Sequence, residues 1–520
     1  MRGKRFFDFC LLAAAAVCGG IVMAVELLGA RMLSVAYGGS LVIWAAVISV
    51  TLVSLAAGYF IGGWLSDRFP RSGLLGAILI AAGALLASCP HAGFALVFFY
   101  KTIGLIGGAL ASAAALFSLP LGMLGMASPF IIRLLCAGKG EERVGRIAGS
   151  TYAISTLGSV AGTLLTGLWM IPTFGTAAGF RIIAAVTATM GILLLFSKPW
   201  VKSCAALAIL VALYSLPGPA IATGREYIAP DKDPVKVVAV YESAHGHITI
   251  LEKGDYKLLV VNGIVQTGVP RQFHKGRGLA ERYFQELLPY TVDDSRHASA
   301  LVIGLAGGMT ASMLASYEMD VESVDIDPAV IDAARKYFGF TGRATVADGR
   351  RFLEDCNETY SFCVIDTYSG DVFPFHLATR EAFAAAKKIL RPGGILAINY
   401  IGSPTGKAFA CLHLTVSRVF KNILALRGEE GDDVQTITLF CSDREILFNK
   451  RWQDNALDFA GSSGPDPVTR DIQRLTVTPP NQEGAFVLTD DYNPIDFLRG
   501  EEALRWRERT ARNIGEGALF

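Results

Sequence analysis

Three acidic residues stand where an open α/β sheet does its chemistry. Asp325 closes the segment VESVDID, Asp348 follows a short strand (Ala344–Ala347) in VADGRRF, and Asp366 ends the apolar run FCVID and leads into TYSGDVFP. In such folds ligands bind at the carboxyl ends of the strands, where the strand order reverses. An acid ending the second strand can accept from ribose hydroxyls, and one after the third can accept from an adenine amino group. A single Asp at a strand end is often only a cap or turn residue. Three in succession make a pattern. Upstream, GLAGGMTASML joins the strand ALVIG to a helix, and Gly304, Gly307 and Gly308 let backbone approach a ligand closely. This glycine pattern alone fits NAD-dependent enzymes and methyltransferases equally.

The elements that must position these residues follow from patterning. From about residue 280 the chain alternates helix and strand, the signature of a doubly wound, Rossmann-like α/β sheet. Before it, 236–241, 247–252 and 257–262 are β-branched and alternating, with turns at Gly246 and Gly254-Asp255, which predicts a small antiparallel sheet. Pro217, Pro219, Pro230 and Pro234 mark a linker. The expected domains are 223–290 (linker and small β-hairpin domain) and 291–520 (α/β domain), behind a helical domain over 1–222.

That first domain has a different composition. Residues 1–222 hold 14 Lys+Arg and 5 Asp+Glu, whereas 223–520 hold 33 and 41, so a net charge of +1 hides a basic, charge-poor part and an acidic, charge-rich one. The near-neutral balance and the lack of a basic, aromatic-interleaved surface argue against a nucleic-acid partner. The mean hydropathy of +0.42 comes almost entirely from the first part. It reads as an all-α polytopic bundle in a lipid bilayer. Candidate spans are 7–27, 41–63, 73–89, 92–117, 120–136, 147–170, 179–197 and 203–217, about eight, or seven. Positive charges at Met1–Arg5 and around Asp67, Arg68 and Arg71 put those segments in the cytoplasm, while Lys139–Arg146 and Lys198–Lys202 disagree with an eight-span count. An even count is favoured because the C-terminal domain needs a cytosolic metabolite. Small residues recur at four-residue spacing (Gly149/Ala153, Gly158/Gly162, Gly104/Gly108/Ser112), suited to close helix packing. Glu26, an ionisable group within the first span, is a candidate for an ion pair (with Arg31, Lys101 or Arg133) or for a substrate or proton role.

Taken together, GLAGGMTASML, VDIDPAVIDAARKYF, VADGRRFL, DTYSGDVFPFHLATREAF, LRPGGILAIN and LTDDYNP resemble the spermidine synthases, the polyamine aminopropyltransferases. The whole chain is similar to bacterial membrane-fused spermidine synthase-like proteins, with MAVELLGARML and GRIAGSTYAISTLGSVAG in the helical part. The resemblance implies S-adenosylmethionine or its decarboxylated form as substrate. Asp325 would hold the ribose, Asp348 and Gly349 the adenine, and Gly304–Gly308 the methionine-derived portion, with Asp366 as the catalytic acid position. It also implies a homodimeric soluble domain and a multi-pass protein of the bacterial inner membrane with its C-terminal domain in the cytoplasm. Further substrate contacts are expected at Gln285, Asp371, Asp490 and Tyr492.

The sequence departs from the family at the amine end: the glycine loop lacks the family's acid, and Asp371 falls two residues late. Two mechanisms therefore stand beside each other. In one, a putrescine-like amine attacks the γ-carbon and takes an aminopropyl group. In the other there is no acceptor, and the carboxylate of S-adenosylmethionine attacks the same carbon, giving homoserine lactone and methylthioadenosine. Methyl transfer and a nucleoside-gated transporter complete the alternatives. A sulfonium leaves as a neutral thioether, so the chemistry needs no metal. The isolated His274, His376 and His413 show no ligand spacing, and the nine scattered cysteines form no CxxC pair.

Overall fold

The structure is a computed structural model that describes residues 2–39, 41–137, 143–195, 224, 226–229, 231–270, 284–292, 294–428, 433–448 and 475–514. The chain divides into two compact units, Met1–Ala222 with Glu242–Ala244 and Leu519–Phe520, and Thr223–Tyr241 with His245–Ala518. The expected span 203–217 and His274 lie outside the described residues.

The described residues of 1–222 form helices: α1 (Arg2–Tyr37), α2 (Leu41–Arg68), α3 (Ser72–Ser88), α4 (Gly93–Gly125), α5 (Ala127–Cys136), α6 (Val144–Leu165) and α7 (Ile171–Leu195). A π-helical turn, Thr166–Met170, joins α6 to α7. Glycines meet backbone where helices cross, Gly20 against Gly158 and Gly162, Gly58 against Gly122, and Gly76 against Gly191. A side chain at any of them would force its pair apart. Among the described residues, five segments are long and apolar enough to cross a membrane: Phe6–Tyr37, Ile43–Arg68, Ser72–His91, Ile106–Cys136 and Val144–Leu195. The expected spans 92–117 and 120–136 differ from this pattern. The helix breaks instead at Gly104, whose φ of 79° is open to glycine, and Pro120 is accommodated inside α4. A second break falls at Gly175 (φ 78°), inside α7.

The second unit carries two sheets. β1 (Glu226–Ile228), β2 (Pro234–Glu242), β3 (His247–Lys253), β4 (Tyr256–Val261) and β5 (Ile264–Pro270) form a five-stranded sheet in chain order. Its last hairpin, β4 and β5, turns at Asn262-Gly263. The sequence patterning anticipated three of these strands and missed β1 and β5.

The larger sheet comprises β6 (Ser299–Ile303), β7 (Asp320–Asp325), β8 (Arg343–Val346), β9 (Tyr360–Ile365), β10 (Leu390–Gly402), β11 (Asn422–Arg427) and β12 (Gln435–Ser442). The order is β11-β12-β10-β9-β6-β7-β8, parallel from β8 to β10 and closed by two antiparallel strands. Interleaved are α8 (Met309–Ser316), α9 (Pro328–Tyr337), α10 (Gly349–Asp355), α11 (Arg380–Lys388) and α12 (Lys407–Ser417), with α13 (Ile495–Leu498) and α14 (Gly500–Ile514) at the end. Strand residues alternate between two apolar cores, Leu301, Ile303, Cys363 and Ile365 on one face and Ala300, Val302, Phe362 and Val364 on the other. Both faces are covered, as a parallel sheet requires. The chain runs β6, β7, β8 outward, then crosses back to β9, so the strand order reverses between β6 and β9.

Candidate functional site

The reversal point places two of the expected residues side by side. Ile303 pairs with Ile365 in register, and the next residues, Gly304 and Asp366, leave the sheet together. The Asp366 amide donates to the Ile303 carbonyl at 2.9 Å. Gly304 adopts φ 92°, and a Cβ there would collide with the Asp366 carbonyl oxygen, so only glycine fits. One strand further, Ile398 pairs with Ile365, which brings Asn399 alongside; its Nδ2 donates to Asp366 Oδ1 at 2.7 Å. Burial pushes the Asp366 carboxyl above its ordinary value, and the Asn399 hydrogen bond opposes part of that rise. A carboxylate so placed is held in one orientation and is more basic than an exposed one.

The glycine loop is organised around Asp325. Its carboxylate accepts from the amides of Leu305 and Asp327, both at 2.9 Å, and from that of Ala306. Burial still leaves its carboxyl above the ordinary value. The Gly304 amide reaches the Val324 carbonyl, Gly307 reaches Thr267 Oγ1 at 3.0 Å, and Gly308 reaches the Leu305 carbonyl. Every amide from 304 to 308 is thus engaged within the protein. The loop is thus held in one shape by its own hydrogen bonds, beside Asp325.

Asp348 caps α10, accepting from the Arg351 amide at 2.9 Å, and its other oxygen meets His376 Nε2 at 3.1 Å. Gly349 opens the helix behind it, where a Cβ would run into Ile303.

These residues line one cleft of about 770 Å³, open solvent included, between the β4–β5 hairpin and the larger sheet. Among the described residues its charged or titratable lining is Asp325, Asp327, Asp348 and Asp366 with His245, His376 and Tyr368, without a Lys or Arg. A cleft of that character attracts cations. Gly304, Asp325, Asp348, Gly349 and Asp366 line it, while Gly307 and Gly308 support the loop from behind.

The expected acceptor contacts sit elsewhere. Asp371 is buried and pairs with Arg507 at 2.6 Å. Asp490 accepts from Arg350 Nη2 at 2.8 Å and from Thr379 Oγ1 at 2.7 Å, which ties the LTDDYNP segment to α10 and α11. Tyr492 is exposed against Phe486, and Gln285 is enclosed in the core beside Leu287 and Leu288. None of the four belongs to the cleft lining. Glu26 lies half-buried on α1. Of its expected partners, Arg133 reaches Asp67 at 3.3 Å, and the Lys101 side chain lies outside the described residues.

Sequence reasoning missed Asn399, His376 and Gln266 as site residues. The signal for Asn399 was one polar residue interrupting the apolar strand LAINY. That for His376 was its place ten residues after Asp366, on the loop returning from that strand. Among the described residues there is no cluster of three or more His, Cys, Asp or Glu side chains able to hold a metal ion.

With the geometry set out, comparison with known proteins is informative. Residues 241–406 match the spermine/spermidine synthase domain family. A probable polyamine aminopropyl transferase of Bifidobacterium longum is 29% identical over 189 residues, covering 35% of this chain and 42% of that protein. The chain thus spans less than half the length of that relative. The polyamine aminopropyltransferase of Mycobacterium tuberculosis is 25% identical over 409 residues, 69% of this chain and 75% of that one. That share is more than residues 223–520 supply, so the similarity reaches into the helical unit. A crystal structure of a probable spermidine synthase from Corynebacterium glutamicum covers 51% of this chain and 93% of its own, with 16% identity and a TM-score of 0.38. The C-terminal part of this protein is a spermidine synthase domain, carried behind an additional N-terminal helical region.

Proposed function

We propose that this protein is an integral membrane aminopropyltransferase-like enzyme, acting on a cationic adenosyl sulfonium with release of methylthioadenosine. The observation that carries the reading is Asp366, set at the strand reversal in a cleft whose fixed charges, among the described residues, are carboxylates. Adenosine would lie over the strand tips, its ribose on Asp325 and its adenine towards Asp348 and Gly349. An acceptor amine attacks the carbon next to sulfur. The C–S electron pair goes to sulfur, which departs as a neutral thioether, and the amine proton passes to Asp366 and then to water. The carboxylates favour the cationic donor and an ammonium acceptor alike, and Asn399 keeps Asp366 turned towards them.

One observation favours a second reading. Asp371, the nearest further acid on the catalytic loop, is paired with Arg507 and so offers no second anion to a diamine. Intramolecular cleavage of S-adenosylmethionine to homoserine lactone needs no such anion. Product identification separates the two. Decarboxylated donor plus putrescine giving an aminopropylated amine supports transfer, and methylthioadenosine from S-adenosylmethionine alone supports cleavage.

The helical unit is read as membrane-spanning, with six crossings among the described residues. Ile106–Cys136 crosses once. Val144–Leu195, at 52 residues, is about 78 Å of helix against a hydrocarbon core of about 30 Å, so it crosses twice and turns at Gly175. Six crossings remove the conflict of the eight-span count. Arg2, Lys4, Arg5, Arg68, Arg71, Arg133, Arg143 and Arg146 then fall on or beside cytoplasmic connections, leaving Arg31, Lys101 and Arg181 outside. Cysteine accessibility at introduced sites near 140 and 104 tests this. Label reaching 104 but not 140 from outside supports it, and the reverse overturns it.

A further inference from the structure

Two arginines are almost wholly enclosed in the C-terminal unit, Arg499 and Arg507, at 1% and 2% exposure. Arginine is rarely buried unless its charge and donors are satisfied. Here they converge on the segment after Asp366. Arg507 Nη2 donates to Asp371 Oδ1 at 2.6 Å, and its Nη1 donates to the Asn262 carbonyl at 3.0 Å. Asn262 Nδ2 in turn donates to Ser369 Oγ at 3.2 Å. One guanidinium therefore joins α14, the β4–β5 turn and the loop that carries the catalytic acid. Arg499 works on the same loop from α13: Nη1 donates to the Asp371 carbonyl at 3.2 Å, Nε and Nη2 to the Ile401 carbonyl, and its plane lies between the rings of Tyr368 and Tyr400. Tyr368 lines the cleft.

We propose that Arg507, seconded by Arg499, is a positioning residue that clamps the 366–372 loop over the cleft, so that helix α14 and the residue before it fix the aim of Asp366. The inference rests on the reading of Asp366 as the acid at the reacting bond. A buried pair of this kind is poor as a simple stabiliser, because removing two charges from water costs about as much as their attraction returns. It is well suited to fixing one geometry, since the planar fork engages two acceptors in set directions. Asp325 and Asp348 are held by other partners, the amides of Leu305, Asp327 and Arg351 and the ring of His376.

The test uses the full-length protein in detergent. Arg507→Lys keeps the charge and loses the fork. Turnover should fall ten- to a hundredfold, methylthioadenosine affinity should stay within twofold, and the amides of Ser369 and Val372, which bond each other's carbonyls, should exchange hydrogen at least tenfold faster. Arg507→Gln leaves a buried unpaired carboxylate and will lose more, including folded protein. Arg507→Gln with Asp371→Asn restores a neutral hydrogen-bonded pair and should recover exchange protection. Unchanged turnover and exchange in folded Arg507→Lys overturns the proposal, as does a double variant no better protected than the single. A gain in turnover or a lower acceptor KM also overturns it, because Arg507 would then be masking an acceptor acid rather than aiming Asp366. If the wild type transfers nothing to any amine, the functional reading fails, and the exchange measurement still decides whether the clamp exists.

Discussion

The two ends of the cleft are built by different means. At the end proposed for adenosine, each carboxylate is held by main-chain amides. Asp325 is held by amides at 305, 306 and 327, and Asp348 by the amide at 351. At the acceptor end, distant side chains meet. Asn399 is 33 residues from Asp366, and Arg507 is 136 residues from Asp371. Backbone makes a rigid, general nucleoside cradle, whereas long-range side-chain contacts can change without disturbing it. The acceptor end is thus where specificity is free to vary.

The largest effect that would break this comparison is at Asp366 itself. Asp366→Asn should reduce turnover by about 10²- to 10⁴-fold, the usual worth of a positioned acid or base, with methylthioadenosine affinity nearly unchanged. The same variant should melt a few degrees higher at pH 7. Its carboxyl titrates above the unfolded value, so the ionised form costs stability once pH has risen through the folded value, and the amide removes that cost. In the wild type, turnover should fall as pH is lowered through that raised value, above the ordinary carboxylate range. Full activity of Asp366→Asn would remove the reacting end from this place altogether.

Asp325→Asn is the counterpart at the other end. It should weaken methylthioadenosine binding at least tenfold by calorimetry, because an amide offers one acceptor oxygen in place of two and turns a donor on the loop N–H groups. Turnover at saturating donor should change less than affinity. If binding is unaffected, the ribose lies elsewhere and the adenosine end has been misplaced.

The same contrast explains what could be read in the sequence. The α/β alternation, Gly304 and the three strand-end acids were legible because each is marked by a local run of apolar strand, turn and helix, whatever its partners in space. Asp371, Asp490, Gln285 and Tyr492 were expected at the cleft from motif position alone. The structure ties Asp371 to Arg507 and Asp490 to Arg350, and no local pattern signals partners 136 and 140 residues away. In the helical unit the apolar runs were plain. Their segmentation was not, because Pro120 marks a break in most helices and Gly104 does not, and here the backbone turns at the glycine. The disagreement of the basic loops with eight spans was the sequence signal for that error.

His376 sharpens the comparison with a smaller effect. It meets Asp348 from the returning loop and lines the cleft, although it looked like an isolated histidine. His376→Ala should weaken donor binding two- to tenfold and leave turnover at saturation unchanged, since Asp348 keeps its cap on the Arg351 amide. A loss confined to turnover would move His376 to the reacting end.

The smallest effect probes the charges behind the acceptor end. Asp496 opens α13, and burial raises its carboxyl to about 6, with Asp371 adding to the rise and Arg499 opposing it. A folded value above the unfolded one means that the native state holds the extra proton. Stability is therefore lost as pH rises from about 4, the unfolded value, through about 6. Asp496→Asn should leave the melting temperature unchanged near pH 4 and raise it by one to a few degrees at pH 8. Its methylthioadenosine affinity should match the wild type at both pH values, because the residue belongs to the clamp side and not to the nucleoside cradle. Equal melting shifts at both pH values would show that the group titrates as an exposed carboxyl, and the buried charge cluster around Arg499 would then be more open to water than its packing indicates.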